Sequence, residues 1–244
     1  MKPIYIPKGA ALEYGELALN LHSTCPHRCY YCYAPQILHK TKEDYFEYKG
    51  YRPGIVKATK RQLEKEGITG KLIHIPFIGD AYPKGHDSSI TREILQLLKE
   101  YGNHVQILTK NGEDAMRDFD LLDDNDWFGV TYAGYSWDNF FVSPKSEPFA
   151  GSPVDRLLAL KEAHKLGIKT WISMEPVLDG EDILALLEHD LSCIDKFKIG
   201  KLNYHPSDID WKDFGQRVEQ KCRSIKLDYY IKESLRKEME GRNE

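Results

Sequence analysis

The sequence predicts an α/β protein with one large domain, built on six parallel strands joined by helical crossovers. Three observations carry this expectation. Short β-branched and aromatic runs alternate with helix-patterned ones along the chain. The helical runs carry their own start and stop residues. The 244 residues contain no repeat of fixed period, no low-complexity tract and no Pro/Ser linker that would divide them, and that length is ample for a sizeable core.

In chain order, the strand runs are residues 16–21 (ELALNL), 71–78 (KLIHIPFI), 104–109 (HVQILT), 127–133 (WFGVTYA), 169–174 (KTWISM) and 195–200 (DKFKIG). After the second strand comes DSSITREILQLLKEYG. There Asp87 or Ser88 can cap a helix, Ile90, Ile94, Leu97, Leu98 and Tyr101 share one face, and Gly102 supplies the stop. After the fourth strand, residues 152–167 repeat this grammar, with Ser152 as N-cap, Pro153 at the first helical position, Asp155 in the first turn and Gly167 closing. A helix over 181–189 buries Ile183, Leu186 and Leu187. Beyond Asn203 follow a helix over 211–224, a strand over 228–231 and a charged final helix. The expected division is a core over residues 1–205 and an extension over 206–244 packed on it.

Composition narrows the class. With 41% hydrophobic and 30% charged residues and no apolar run of membrane-spanning length, the chain reads as soluble. MKPIYIPKGAALEYG lacks the apolar stretch and small-residue cleavage site of a secretory signal. Five cysteines, three of them clustered, fit a reducing cytoplasm better than a disulfide scaffold. A net charge of −4 argues against a strong nonspecific grip on a polyanion. Basic residues gather at 57–65 and at 232–237, and both stretches read as solvated helix faces.

Ligands of parallel α/β sheets collect at the C-terminal ends of the strands. HSTCPHRCYYCYAP, residues 22–35, begins there, and it places Cys25, Cys29 and Cys32 within eight residues. Structural zinc takes four ligands, usually from paired Cys-x2-4-Cys units. Cys193 and Cys222 are solitary. A fourth ligand could come from His22, His27 or Cys193, but none has a partner at a telling spacing. Three thiolates on a 4Fe-4S cube would leave one iron open to substrate.

Cys-x3-Cys-x2-Cys after a first strand, with the aromatic Tyr31 before the last cysteine, resembles the radical SAM superfamily. The resemblance implies a partial (β/α)6 TIM-like barrel with a short C-terminal α/β extension, and a 4Fe-4S cluster on Cys25, Cys29 and Cys32. It implies that the open iron binds the amino and carboxylate groups of S-adenosylmethionine. An electron from a donor such as flavodoxin or ferredoxin then cleaves this cofactor to methionine and a 5'-deoxyadenosyl radical, which abstracts hydrogen from a substrate. By the same resemblance the Tyr31 backbone meets the adenine and Tyr33 packs beside the cluster as a catalytic candidate. Gly79-Asp80 meets the methionine amino group, and a carboxylate suits an ammonium. Ser173 and Glu175 stand at the ribose and substrate. Apart from the resemblance, His205 follows the sixth strand at the same mouth, where it can act on the substrate or stand as an ordinary solvated loop residue. LTKNGEDAMRDFDLL, with Thr109, Lys110, Arg117, Asp118, Asp120, Leu121 and Leu122, resembles the spore photoproduct lyase-like branch, which implies that Lys110 pairs with the cofactor carboxylate.

The chain departs from that branch. The branch's hydrogen-donor cysteine would stand beside Phe77-Ile78-Gly79-Asp80, where this sequence has none, and Asn111 replaces a serine. This sets the chain apart from thymine-dimer repair. Two other readings stay open: an iron-sulfur or zinc module that does not cleave the cofactor, and a nucleic-acid-modifying enzyme. DYFEYKGYRPG, residues 44–54, could lid the cofactor or stack on a ring, with a plain surface loop as the default.

Overall fold

The computed structural model describes residues 2–134 and 146–242. Its sheet has eight strands in strictly sequential order. β1 (Ile4–Tyr5) pairs antiparallel with β2 (Leu17–Leu19). From β2 onward every pairing is parallel, through β3 (Leu72–Ile75), β4 (His104–Thr109), β5 (Trp127–Thr131), β6 (Lys169–Met174), β7 (Lys196–Ile199) and β8 (Tyr229–Ile231). Each of the six expected strands is present, and the 228–231 run continues the same sheet. The β1 edge carried no signal in sequence, because two residues give no period to read. The architecture is a partial barrel of parallel strands. No helix among the described residues is long and apolar enough to cross a membrane.

Side chains alternate across each strand, so register sorts them into two sets. The outer set is Ile73 and Ile75, Val105 and Ile107, Phe128 and Val130, Ile172 and Met174, Phe197 and Ile199, and Ile231. All are buried in one continuous apolar core. The helices complete it: α1 (Ala34–Ile37), α2 (Lys42–Phe46) and α3 (Ile55–Glu66) precede β3, and α4 (Ser89–Glu100) follows it. Then come α5 (Gly112–Ala115), α6 (Pro153–Lys165), α7 (Gly180–Leu186), α8 (Trp211–Ser224) and α9 (Glu233–Met239). Leu63, Ile94, Leu98, Leu160, Ile183, Val218 and Leu235 are their core contributions. The capping of α6 follows the sequence: the Ser152 hydroxyl accepts from Asp155 N while the Asp155 carboxylate accepts from Ser152 N. At α4 the cap differs. Ser88 holds the N-cap position without a side-chain bond, and Asp87 instead accepts from Ser89 N and Oγ.

The inner set is polar and aromatic. His74 lies opposite Gln106, Gly129 opposite Trp171, and Ser173 opposite Lys198. His74, Gln106, Trp171, Ser173 and Lys198 are all buried. Trp171 lies across Gly129, where an added Cβ would stand 2.1 Å from the indole nitrogen. Only glycine leaves room for that indole, which donates to Ile107 O at 3.0 Å.

Two expectations need correction. Residues 44–54 are not a plain surface loop: residues 42–46 form α2, Tyr45 is 1% exposed, and Tyr51 bridges to His22. The basic run at 57–65 lies on α3, with Lys57, Lys60, Arg61 and Lys65 exposed. The run at 232–237 is not uniformly solvated. Lys232 follows β8 with inward parity and is 1% exposed, because the strand that precedes it carries it into the barrel.

A three-cysteine loop at the mouth of the barrel

The loop after β2 is pinned at several points. Cys25 N donates to Tyr45 O at 3.1 Å, Cys32 N to Cys29 O at 3.1 Å, and Tyr30 N to Ser146 O at 3.1 Å. Asn20, at the end of β2, accepts from both Phe77 N and Ile78 N and so ties this loop's base to the loop after β3. Tyr33 adds a second tie by donating to Phe77 O at 3.0 Å. Gly79, at φ +80, lies so close that a Cβ there would be 2.8 Å from His22 Cβ.

None of the three cysteines is in a disulfide, Cys25 and Cys29 are buried, and Cys32 packs against the apolar groups around each of them. Burial pushes the Cys29 thiol up to about 12, and burial likewise raises Cys25 and Cys32. Three such thiols ionise when a metal takes the place of their protons. Their spacing bears on which metal group fits. Among the described residues, His104, Asp123 and Asp126 are the one trio with donor atoms all within 4.8 Å of one another. At least two of the three sulfurs therefore stand more than 4.8 Å apart, wider than the roughly 4 Å between ligands of one tetrahedral zinc with Zn–S bonds of about 2.3 Å. The donor set suits a polynuclear iron-sulfur group. The His104 trio lies by the start of β4, and the Lys99 ammonium already bonds both of its carboxylates.

Beside Cys29 stands Lys110, with its ammonium 5.7 Å from the Tyr31 ring centroid and 3.5 Å from Thr131 Oγ1. Burial lowers its affinity for the proton, but the Cys29 thiol and the Glu147 carboxylate outweigh this and hold it above the ordinary lysine range. Glu147 accepts from the Tyr31 hydroxyl and pairs with Arg156 with no solvent exposure of either side chain. Arg156 also donates to Lys110 O at 3.1 Å, Thr131 O at 2.9 Å and Gly151 O at 2.7 Å. This one guanidinium locks the ends of β4 and β5 to the start of α6.

Asp80 sits at the same mouth, but its carboxylate serves the chain. It accepts from Thr109 Oγ1 at 2.5 Å, Tyr82 N at 2.9 Å and Lys110 N at 2.8 Å, with His27 Nδ1 at 3.6 Å. Thr109 and Asp80 thus set the position of Lys110.

Across the mouth, Glu175 accepts from the Tyr14 hydroxyl at 2.7 Å, Asn203 Nδ2 at 3.1 Å and Lys232 Nζ at 2.9 Å. Ser173 Oγ lies 3.2 Å from the same Tyr14 hydroxyl. Lys198 donates to Glu13 O and stacks 4.6 Å from the Tyr14 ring centroid. Burial, then Lys232 and Lys196, bring its pKa down to about 8. His205 stands apart, packed edge-on against Tyr30 at 5.6 Å.

The structure therefore gathers Cys25, Cys29, Cys32, Tyr31 and Lys110 on one side and Ser173 with Glu175 on the other. Asp80, Thr109 and Tyr33 act as ties between the strand-end loops. Sequence reasoning missed Tyr14, Lys232, Asn20 and the Glu147–Arg156 pair. The inward parity of Lys232 was the available signal for one of them.

The chain is a parallel partial barrel that carries a three-thiol loop at the C-terminal ends of its strands. The sequence matches the Radical SAM superfamily over residues 19–189, and the chain belongs to that superfamily. An uncharacterized protein of Methanocaldococcus jannaschii is 31% identical over 187 residues, covering 72% of this chain and 65% of that protein. The chain thus spans just under two thirds of that relative's length. Among solved structures, spore photoproduct lyase superposes with a TM-score of 0.68 at 13% identity, over 93% of this chain and 79% of that one. SuiB from Streptococcus suis, bound to S-adenosylmethionine, superposes with a TM-score of 0.59 at 15% identity, over 88% of this chain and 50% of that one. These two likenesses are in fold.

Proposed function

We propose that Cys25, Cys29 and Cys32 hold a 4Fe-4S cluster and that the chain uses it to cleave S-adenosylmethionine. The observation that carries this reading is the placement of three free thiols, two of them buried, in one pinned loop, with Lys110 at the end of β4 beside Cys29. A cluster held on these three cysteines would supply one electron for reductive cleavage of the S-adenosylmethionine sulfonium and so for radical hydrogen abstraction from a substrate. The chain's residues bind and orient. Lys110 offers its ammonium to the cofactor carboxylate. Gly79, whose N–H donates to the Tyr45 hydroxyl, stands at the amino group through its backbone, while Asp80 positions Lys110. The Tyr31 backbone lies by the adenine, with its hydroxyl anchored on Glu147. Ser173 and Glu175 face the ribose and the substrate, Tyr33 packs beside the cluster, and His205 stands at the outer rim toward the substrate.

The neighbours' fold does not choose a substrate. One solved spore photoproduct lyase holds a dinucleoside spore photoproduct, and one SuiB structure holds its precursor peptide. All five cysteines are free, which supports a reducing cytoplasmic setting. The test is anaerobic reconstitution with iron and sulfide, then dithionite and S-adenosylmethionine. The expected result is about four irons per chain and formation of 5'-deoxyadenosine. An intact cluster that yields none overturns cleavage.

A further inference from the structure

Electron delivery requires a route from outside, and the outward side of the cysteine loop differs chemically from the rest of the chain. Residues 17–42 contain three of the chain's 34 basic residues and none of its 38 acidic ones. All three lie on the cysteine loop. Lys40 Nζ donates to Ser23 O at 3.0 Å, two residues before Cys25. Lys42 Nζ donates to Tyr30 O at 2.9 Å, immediately after Cys29. Arg28 stands between Cys25 and Cys29 at φ +54, a conformation that a non-glycine residue adopts only under constraint. It is exposed, and its guanidinium lies 5.6 Å from the ring centroid of Phe149, itself 53% exposed. Tyr30, though 43% exposed, lines a pocket with Asp179, Glu181, Asp208, Asp210 and Asp213, and so borders the patch without belonging to it. The acids bounding the stretch are Glu16 on one side and Glu43 with Asp44, in the first turn of α2, on the other.

An exposed aromatic ring and three cations held on or against the cysteine loop form a small patch with charge opposite to that of the whole chain. Such a patch suits the brief, salt-sensitive encounters of electron transfer, whose interfaces are small and whose rates are set by charge steering. We propose that Arg28, Lys40 and Lys42, with Phe149, form the docking face for an acidic one-electron donor protein of the flavodoxin type. This rests on the cluster assignment above, and it adds where the donor binds and by what charge.

The probe is flavodoxin, used with the reconstituted chain and with an Arg28→Glu, Lys40→Glu, Lys42→Glu variant. Binding is measured directly at low and at physiological ionic strength, and cluster bleaching by reduced flavodoxin is followed by stopped flow. The wild type binds and is bleached in a salt-dependent way. In the variant both fall by about tenfold or more and the salt dependence disappears, while dithionite still bleaches the cluster at the wild-type rate. Equal binding by the two proteins overturns the proposal. So does loss of iron loading with donor binding intact, which would assign the lysines to holding the loop; a Lys40→Arg, Lys42→Arg variant, which keeps charge, must then fail as well. Bleaching by flavodoxin without any 5'-deoxyadenosine would leave the docking face standing and remove the cleavage reading.

Discussion

The cysteine loop and the barrel interior open at the same end of the sheet, yet they are built in opposite ways. The loop is tied to nearby chain and, through Tyr30 N to Ser146 O and the Tyr31 hydroxyl to Glu147, to the segment before α6. Its ties run to Asn20, Tyr45 and the backbone near residue 77, and its sulfurs keep their bonding capacity for a ligand. The interior network is assembled from the two ends of the molecule: Lys198 reaches Glu13 across 185 residues, and Lys232 joins Glu175 to Ala10. There every strong donor and acceptor named is already engaged. The contrast teaches a division of labour, with a receptive loop set on a rim that the rest of the fold holds rigid.

Breaking the loop should cost chemistry and spare the fold. Replacement of Cys25, Cys29 or Cys32 by alanine is expected to reduce iron content and 5'-deoxyadenosine to background. Urea unfolding of the metal-free chain should change by only about 1 kcal/mol, since each cysteine belongs to a small cluster outside the main core and alanine removes only its sulfur. Breaking the rim should do the reverse. Arg156→Ala leaves Glu147 buried without its cation and strips Lys110 O and Thr131 O of a donor. A loss of about 3–5 kcal/mol is expected in the same unfolding assay, before any assay of activity.

The interior gives a milder test of the same comparison. Lys232→Met removes the cation from Glu175 but keeps the Tyr14 and Asn203 bonds, so about 2–3 kcal/mol should be lost. Adding Glu175→Gln should recover part of that loss, because the uncompensated charge is gone. A smaller effect comes from His74. Burial first, then Lys198 and Lys232, lowers its pKa to about 3, so the folded chain binds fewer protons than the unfolded one between about 6.5 and 3. Stability from this group is therefore complete above pH 6.5 and falls as the solution is acidified. From pH 7 to pH 5 the loss should be about 2 kcal/mol, and His74→Phe should flatten that slope in acid titrations followed by circular dichroism.

What could be read in the sequence follows the same division. HSTCPHRCYYCYAP is contiguous, so its spacing alone exposed the ligand set. The six strands and the α4 and α6 helices were legible through alternation and helix-boundary residues. Glu175 was legible as a strand-end acid, but its partners were not, because Tyr14 and Lys232 come from opposite termini and a lysine before ESLRK looks like part of a solvated helix. DYFEYKGYRPG misled for a related reason. Its polar and turn residues suggest surface, whereas Tyr45 is drawn under the cysteine loop, where its carbonyl accepts from Cys25 N. The Glu147–Arg156 pair is invisible locally, since an arginine inside a charged amphipathic helix is ordinarily exposed.

The most direct test of the central claim is low-temperature electron paramagnetic resonance of the dithionite-reduced, reconstituted chain, recorded with and without S-adenosylmethionine. Binding of the cofactor to the iron that no cysteine holds should change the signal of the reduced cluster, and Lys110→Ala should weaken the concentration dependence of that change. An unchanged spectrum at saturating cofactor, from a chain carrying its full iron, would contradict the account.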